Sequence, residues 1–137
     1  MADLTITAAN VISGSGAVKV AGTAGATITA GQVVYLDGSD NKYKLADNDS
    51  ATAAVRSPAG VALHGASSGQ PLTIQTAGPI TIGATVAVGV PYCLSSTAGG
   101  ICPFADIATG DYNTILGIGT STTVIDMKIH SAGAATA

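Results

Sequence analysis

The sequence predicts an all-β fold: a small sandwich or barrel of short antiparallel strands with at most one or two short helical turns. Three observations carry this. Apolar residues alternate with polar or small ones over short runs, the period of a strand with one buried face. Gly, Pro, Ser, Asn and Asp punctuate those runs and divide the chain into about nine to eleven strands at spacings of roughly 8–12 residues. No apolar stripe of helical period persists beyond about two turns.

The stretch from Ile28 to Ala46 sets the pattern. Val33, Val34, Tyr35 and Leu36 form an apolar, β-favouring run; Asp37-Gly38-Ser39-Asp40-Asn41 is a cluster of turn formers; Lys42 to Leu45 alternates again. The expected result is a hairpin with Tyr43 and Leu45 on one face and Lys42 and Lys44 on the other. Earlier in the chain, Asp3 to Thr7 reads as a short strand or an extended arm, Ser13 to Gly16 as a flexible break, and Ala17 to Ala21 as a strand with Val18 and Val20 on one face. Asp47 to Ser50 is placed to cap a short helix over Ala51 to Ala54, ended by Pro58. Strands are expected near Val61 to Leu63, at Leu72 to Gln75, at Ile80 to Ile82 after a break at Gly78-Pro79, and over Val86, Val88 and Val90. Tyr92 to Leu94 and Ile101-Cys102 flank a Ser/Gly turn and read as a second hairpin, in which pairing of Leu94 with Ile101 brings Cys93 opposite Cys102. One helical turn fits within Pro103 to Thr109, and strands fit Thr114 to Ile118 and Val124 to His130. The tract Ala24 to Gly31 resembles Ala77 to Gly83, a weak internal similarity.

At 137 residues the chain is one domain. The expected organisation is an extended N-terminal arm over 1–20, a β domain over 21–130 and a flexible C-terminal tail over 131–137. The core must come from Val, Ile and Leu, since there is no Trp and only one Phe; Val33, Tyr35, Leu72, Ile74, Ile125 and Ile129 are its candidates.

Charge is the most unusual property. Charged residues make up 9% of the chain, against about 25% in an ordinary domain. There is no Glu, and no charged residue lies between Arg56 and Asp106. A surface this poor in charge points to self-association or to docking on a larger assembly. The net charge of −3 and the scattered basic residues make no patch for nucleic acid or an anionic membrane. The N-terminus lacks a basic segment followed by a continuous apolar one, and no apolar run reaches the ~18 residues of a membrane span. Synthesis in the cytoplasm is the expectation.

Groups that could carry chemistry do not assemble. Gly65-Ala66-Ser67-Ser68-Gly69 matches the nucleophile-elbow pattern, but a strand follows where the mechanism needs a helix. His64 and His130 are the only histidines and form no metal-binding spacing. Asp37, Asp40, Asp47 and Asp49 lie at turns without the twelfth-position acid of a calcium loop. Cys93 and Cys102 do not have redox-motif spacing. The chain is therefore expected to be no enzyme and to need no cofactor or metal.

The runs A-G-x-x-I-T-A-G-Q-V-V-Y-L-D (24–37), Y-K-L-A-D (43–47), G-V-A-L-H (60–64) and G-Q-P-L-T-I-Q-T-A-G (69–78) resemble the small capsid decoration, or cement, proteins of tailed bacteriophages. Y-C-L-S-S-T-A-G-G-I-C-P (92–103), G-D-Y (110–112) and L-G-I-G-T-S (116–121) fit the same pattern. The resemblance implies a structural virion protein on the outer surface of the phage head, commonly a homotrimer, that clamps subunits of the major capsid protein. It also implies a terminal arm in contact with the shell, for which Ala2, Leu4, Ile6, Val11 and Ile12 are the candidates. The alternative is a head-fibre or tail-associated domain that binds a host receptor or glycan, which would call on exposed tyrosines among Tyr35, Tyr43, Tyr92 and Tyr112.

Overall fold

A computed structural model describes residues 3–135, with side chains described through Ser131. Ten strands are found among them: β1 (Val11–Ser13), β2 (Val18–Thr23), β3 (Val33–Asp37), β4 (Lys42–Leu45), β5 (Gly60–Ala62), β6 (Pro71–Ile82), β7 (Pro91–Leu94), β8 (Ile101–Pro103), β9 (Tyr112–Gly119) and β10 (Val124–Ala135). Helical structure is limited to two single 3-10 turns, Ala8–Asn10 and Phe104–Asp106. All paired strands are antiparallel, in the order β4-β3-β5-β6-β10-β9-β7-β8, with β1 and β2 also on β6. The sheet curls into a half-barrel. The expected all-β class is thus found, in a form between the sandwich and the closed barrel.

Strand β6 is the axis of the fold. Its N-terminal half pairs with β5, its C-terminal half with β10, and its opposite edge carries β2 and then β1. Two cores follow. One gathers Val33, Tyr35, Ile80, Ile82, Tyr92, Leu94, Ile101, Leu116, Ile125 and Met127; the other gathers Ile28, Val34, Tyr43, Ala62, Leu72 and Ile74. The six predicted core residues all belong to them, five buried and Ile129 packed at the margin. The β3–β4 hairpin has the expected faces, with Tyr43 and Leu45 on the smaller core. At its tip Lys44 Nζ binds Asp37 Oδ2 at 2.6 Å and Asp40 Oδ2 at 3.1 Å. Hydrogen bonds from Lys44 and Ser39 hold the Asp37 carboxyl down at about 2, and the same contacts raise the Lys44 ammonium above its ordinary range.

Four expectations need correction. First, β6 does not break at Gly78-Pro79. Pro79 accepts the Gly14 N–H at 2.8 Å, so its missing donor lies on the edge where β1 has ended, and the ladder to β10 stays intact. Gly78 takes φ +92°, and the buried Gln75 spans the bend: its Nε2 donates to the carbonyls of Ala77, Gly78 and Pro79 at 3.2, 3.0 and 2.9 Å. Second, residues 51–54 form no helix: 51 and 52 are bends, and consecutive turns follow, closed from Val55 to Thr52, Arg56 to Ala53 and Ser57 to Ala54. Asp47 Oδ1 and Ser50 Oγ accept backbone N–H groups two residues ahead, closing local turns that compete with a helical cap. Third, residues 84–90 form no strand, because their amides bond singly to Thr122, Gly119 and the Tyr92 hydroxyl.

Fourth, the ends are not free. Within the expected arm, β1 and β2 belong to the sheet, and residues 3–7 lie on the body of the protein. Leu4 N–H donates to Ile101 O and Thr7 N–H to Gly83 O, both at 2.8 Å, while Asp3 Oδ1 accepts Ser95 Oγ–H at 2.6 Å. The two similar tracts end in Gly31 and Gly83, and both glycines lie against this segment: a Cβ on Gly31 would strike Ile6, and one on Gly83 would strike Thr7 O, each at positive φ. At the other end β10 continues through the expected tail to Ala135, opposite Tyr112; positions 136–137 lie outside the described residues.

Candidate functional site

The outer edge of β1 and β2 is the surface that stands out. The two strands follow one another along one side of β6, with Ile12 opposite Thr81 and Val20 opposite Ile74. Ala24 N–H donates to Gln70 O. Counting back along the register, Gly22 and Val20 spend their backbone groups on β6, whereas those of Ala21 and Lys19 point away from the sheet. Among the described residues no strand pairs with this outer side, and only the Ala24–Tyr43 bridge ties the end of β2 toward β4. Along the edge stand Ile12, Val18 and Val20, exposed by 60%, 53% and 41%. Lys19 is the single charged residue from 4 to 36. An unpaired strand edge with β-branched side chains and one charge is a surface for another polypeptide.

Beside Ile12 lies a groove of about 570 Å³ lined by Thr5, Thr7, Asn10, Thr81, Thr85 and Thr123. Its walls offer hydroxyl and amide groups and no ionised one, so it suits neutral hydrogen-bonding contact. A smaller hollow of about 240 Å³ lies under Asp3, Leu4 and Ile6.

The five residues assigned to a shell-contacting arm are separated by the structure. Ala2 lies outside the described residues. Leu4 and Ile6 are half-buried and pack on the larger core, and Val11 is part of it. Ile12 alone of the four described candidates presents its side chain to solvent. The reason is that alternation marks which residues are apolar on one face, not whose core they enter. Val18 and Val20 were legible as a shared face of one strand but not as an exposed one, since that depends on β2 having a partner on one side only.

The other residues singled out by the sequence are occupied locally. Ser67 sits in a turn that Gln70 closes through both its amide N–H and its side-chain Oε1, and β6 follows. His64 Nε2 accepts the Thr73 N–H at 3.0 Å, and its Nδ1 lies 2.9 Å from Gly65 O, which makes Nδ1 the protonated nitrogen. Asp47 is raised above the ordinary carboxyl range by burial and by its neighbour Asp49. Tyr35, Tyr43 and Tyr92 are buried, and the Arg56 guanidinium covers the Tyr112 ring at 3.7 Å from its centroid. The tyrosine faces named for a glycan site are therefore turned inward or, at Tyr112, covered by Arg56, while Phe104 is exposed. No helix among the described residues is long and apolar enough to cross a membrane. Comparison of the chain with protein-family models, with curated proteins and with solved structures finds no match.

Proposed function

We propose that this chain is a structural, non-enzymatic virion subunit: a capsid decoration protein that sits as a homotrimer on the outer surface of a tailed-phage head and stabilises the shell by binding its major capsid protein. The observation that carries this reading is the unpartnered β1–β2 edge with Ile12, Val18 and Val20 exposed along it, in a chain with one charge between residues 4 and 36. An edge of this kind gains main-chain hydrogen bonds and apolar burial from a neighbouring strand without needing charge complementarity. Three copies on a rigid lattice multiply a weak single contact through high effective concentration. A net negative outer subunit also has no attraction for packaged DNA.

The oligomeric part of the reading is tested by light scattering on the purified chain. A mass near three times 13.2 kDa is the expected result. A monomer at concentrations well above those at which decoration saturates removes the homotrimer from the proposal.

A further inference from the structure

The β7–β8 hairpin sets Cys93 directly opposite Cys102, and both thiols are free and buried. Tyr92, Leu94 and Ile101 face the larger core, so alternation turns the two cysteines together to the other face of the hairpin. The charges of Asp3, Asp106 and Asp111 bear on Cys102 there. Ser95 N–H donates to Gly100 O at 3.1 Å, and Pro103, which has no N–H, stands opposite Tyr92. Both facts make Cys93 and Cys102 a hydrogen-bonded pair, with Cα atoms about 5.5 Å apart. A disulfide spans Cα separations of about 4.4–6.8 Å. The Cα spacing lies within that range; closing the bridge draws the two Cβ atoms in from the ~4.5–5.5 Å of directly opposed residues, and Cys93 gives up its weak contact with Asn113 Oδ1 at 3.7 Å.

We propose that Cys93 and Cys102 form a redox modification site that closes into an intrachain disulfide by exchange with a low-molecular-weight disulfide such as oxidised glutathione. The Cys102 thiol loses its proton and its sulfur attacks one glutathione sulfur, expelling a glutathione thiolate. The Cys93 thiol then loses its proton and attacks Cys102 Sγ in the mixed disulfide, expelling the second glutathione thiolate. The two protons released neutralise the two leaving groups. Two protein thiols are oxidised and one glutathione disulfide is reduced to two thiols.

The fold also sets the rate. Burial pushes the Cys93 thiol up to about 11 and the Cys102 thiol to about 12, so the closed hairpin presents almost no thiolate at neutral pH. Access comes through β8, a three-residue strand at the end of the sheet order, which opens more readily than the strands inside. The bridge has a structural consequence beyond the hairpin. Ile101 of β8 accepts the Leu4 N–H and Ser95 holds Asp3, so locking β7 to β8 fixes the seat of the N-terminal segment. This inference stands independently of the virion reading.

The test is to incubate the full chain with oxidised glutathione, once folded and once through unfolding and refolding, then to alkylate under denaturing conditions and weigh it. The expected product is a chain about 2 Da lighter, not cross-linked to another copy, that takes up no alkylating agent and is restored by dithiothreitol. Its thermal midpoint rises by roughly 5–10 °C over the reduced form. Cys93→Ser is expected to stop at a single glutathione adduct. Two alkylated thiols after refolding, stable adducts on both cysteines, or a disulfide between chains would each overturn the proposal.

Discussion

Replacing Gln75 tests the account of β6 most sharply. Its side chain is fully buried, and its Nε2 serves three carbonyls across the Gly78-Pro79 bend. Gln75→Leu keeps nearly the same volume and removes the donor, leaving those carbonyls without it. A buried acceptor left unpaired costs about 1–3 kcal/mol. Here Pro79 O keeps the Gly14 N–H, and the carbonyls belong to residues that are only partly buried, so part of the loss is recovered. Gln75 Oε1 has no partner among the described residues, and removing that buried oxygen returns a further fraction. The net expectation is a loss of about 1–2 kcal/mol, a sizeable share of the 5–15 kcal/mol typical of a domain. Urea unfolding followed by far-UV circular dichroism measures it, at one fixed protein concentration because assembly would add to the apparent stability. Gln75→Ala should cost more, through the added cavity. A Gln75→Leu protein within about 0.5 kcal/mol of the parent would refute the idea that this side chain holds the bend.

Three further outcomes follow from the same structure. Gly83→Ala places a Cβ against Thr7 O at φ +76° and should cost about 2–4 kcal/mol, with hydrogen exchange at the Thr7 amide rising with it. Asp37 is held at about 2 against an ordinary 3.8. The folded state therefore binds fewer protons than the unfolded one between those values, and the contribution is full above 3.8 and lost as pH falls through about 2. The stability gap between the parent and Asp37→Asn should accordingly shrink over that window in urea titrations, and salt should reduce it at neutral pH, because the pair is partly exposed. Ile12→Thr, Val18→Thr and Val20→Thr together should leave the circular dichroism spectrum unchanged and weaken capsid binding at least about tenfold, roughly 1.4 kcal/mol, as read by co-sedimentation.

The sequence made local structure legible wherever turn chemistry and alternation agreed. The Asp37–Asn41 turn fixed the β3–β4 hairpin, and the Ser/Gly tract fixed β7–β8 closely enough to place Cys93 opposite Cys102. Long-range facts were not legible. Gly78-Pro79 carries every local sign of a break, and the device that carries the strand through it is a buried glutamine three residues earlier. The valines at 86, 88 and 90 alternate like a strand, but their neighbours offer single hydrogen bonds in place of a ladder. The same limit governs the candidate surface. Leu4, Ile6 and Val11 have the pattern of anchors for a foreign shell and pack in or against the protein's own core, whereas Val18 and Val20, on a strand that is paired on one side only, are among the side chains left outside.

The central claim is that this surface docks on a phage shell. It is tested most directly by sedimenting the purified chain with expanded, DNA-free heads assembled from tailed-phage major capsid proteins, and then heating any decorated heads. The account predicts saturable binding at a fixed ratio to the capsid subunit and a higher temperature of head opening. A chain that stays in the supernatant at micromolar concentration, with heads that open at the same temperature with and without it, would contradict the account.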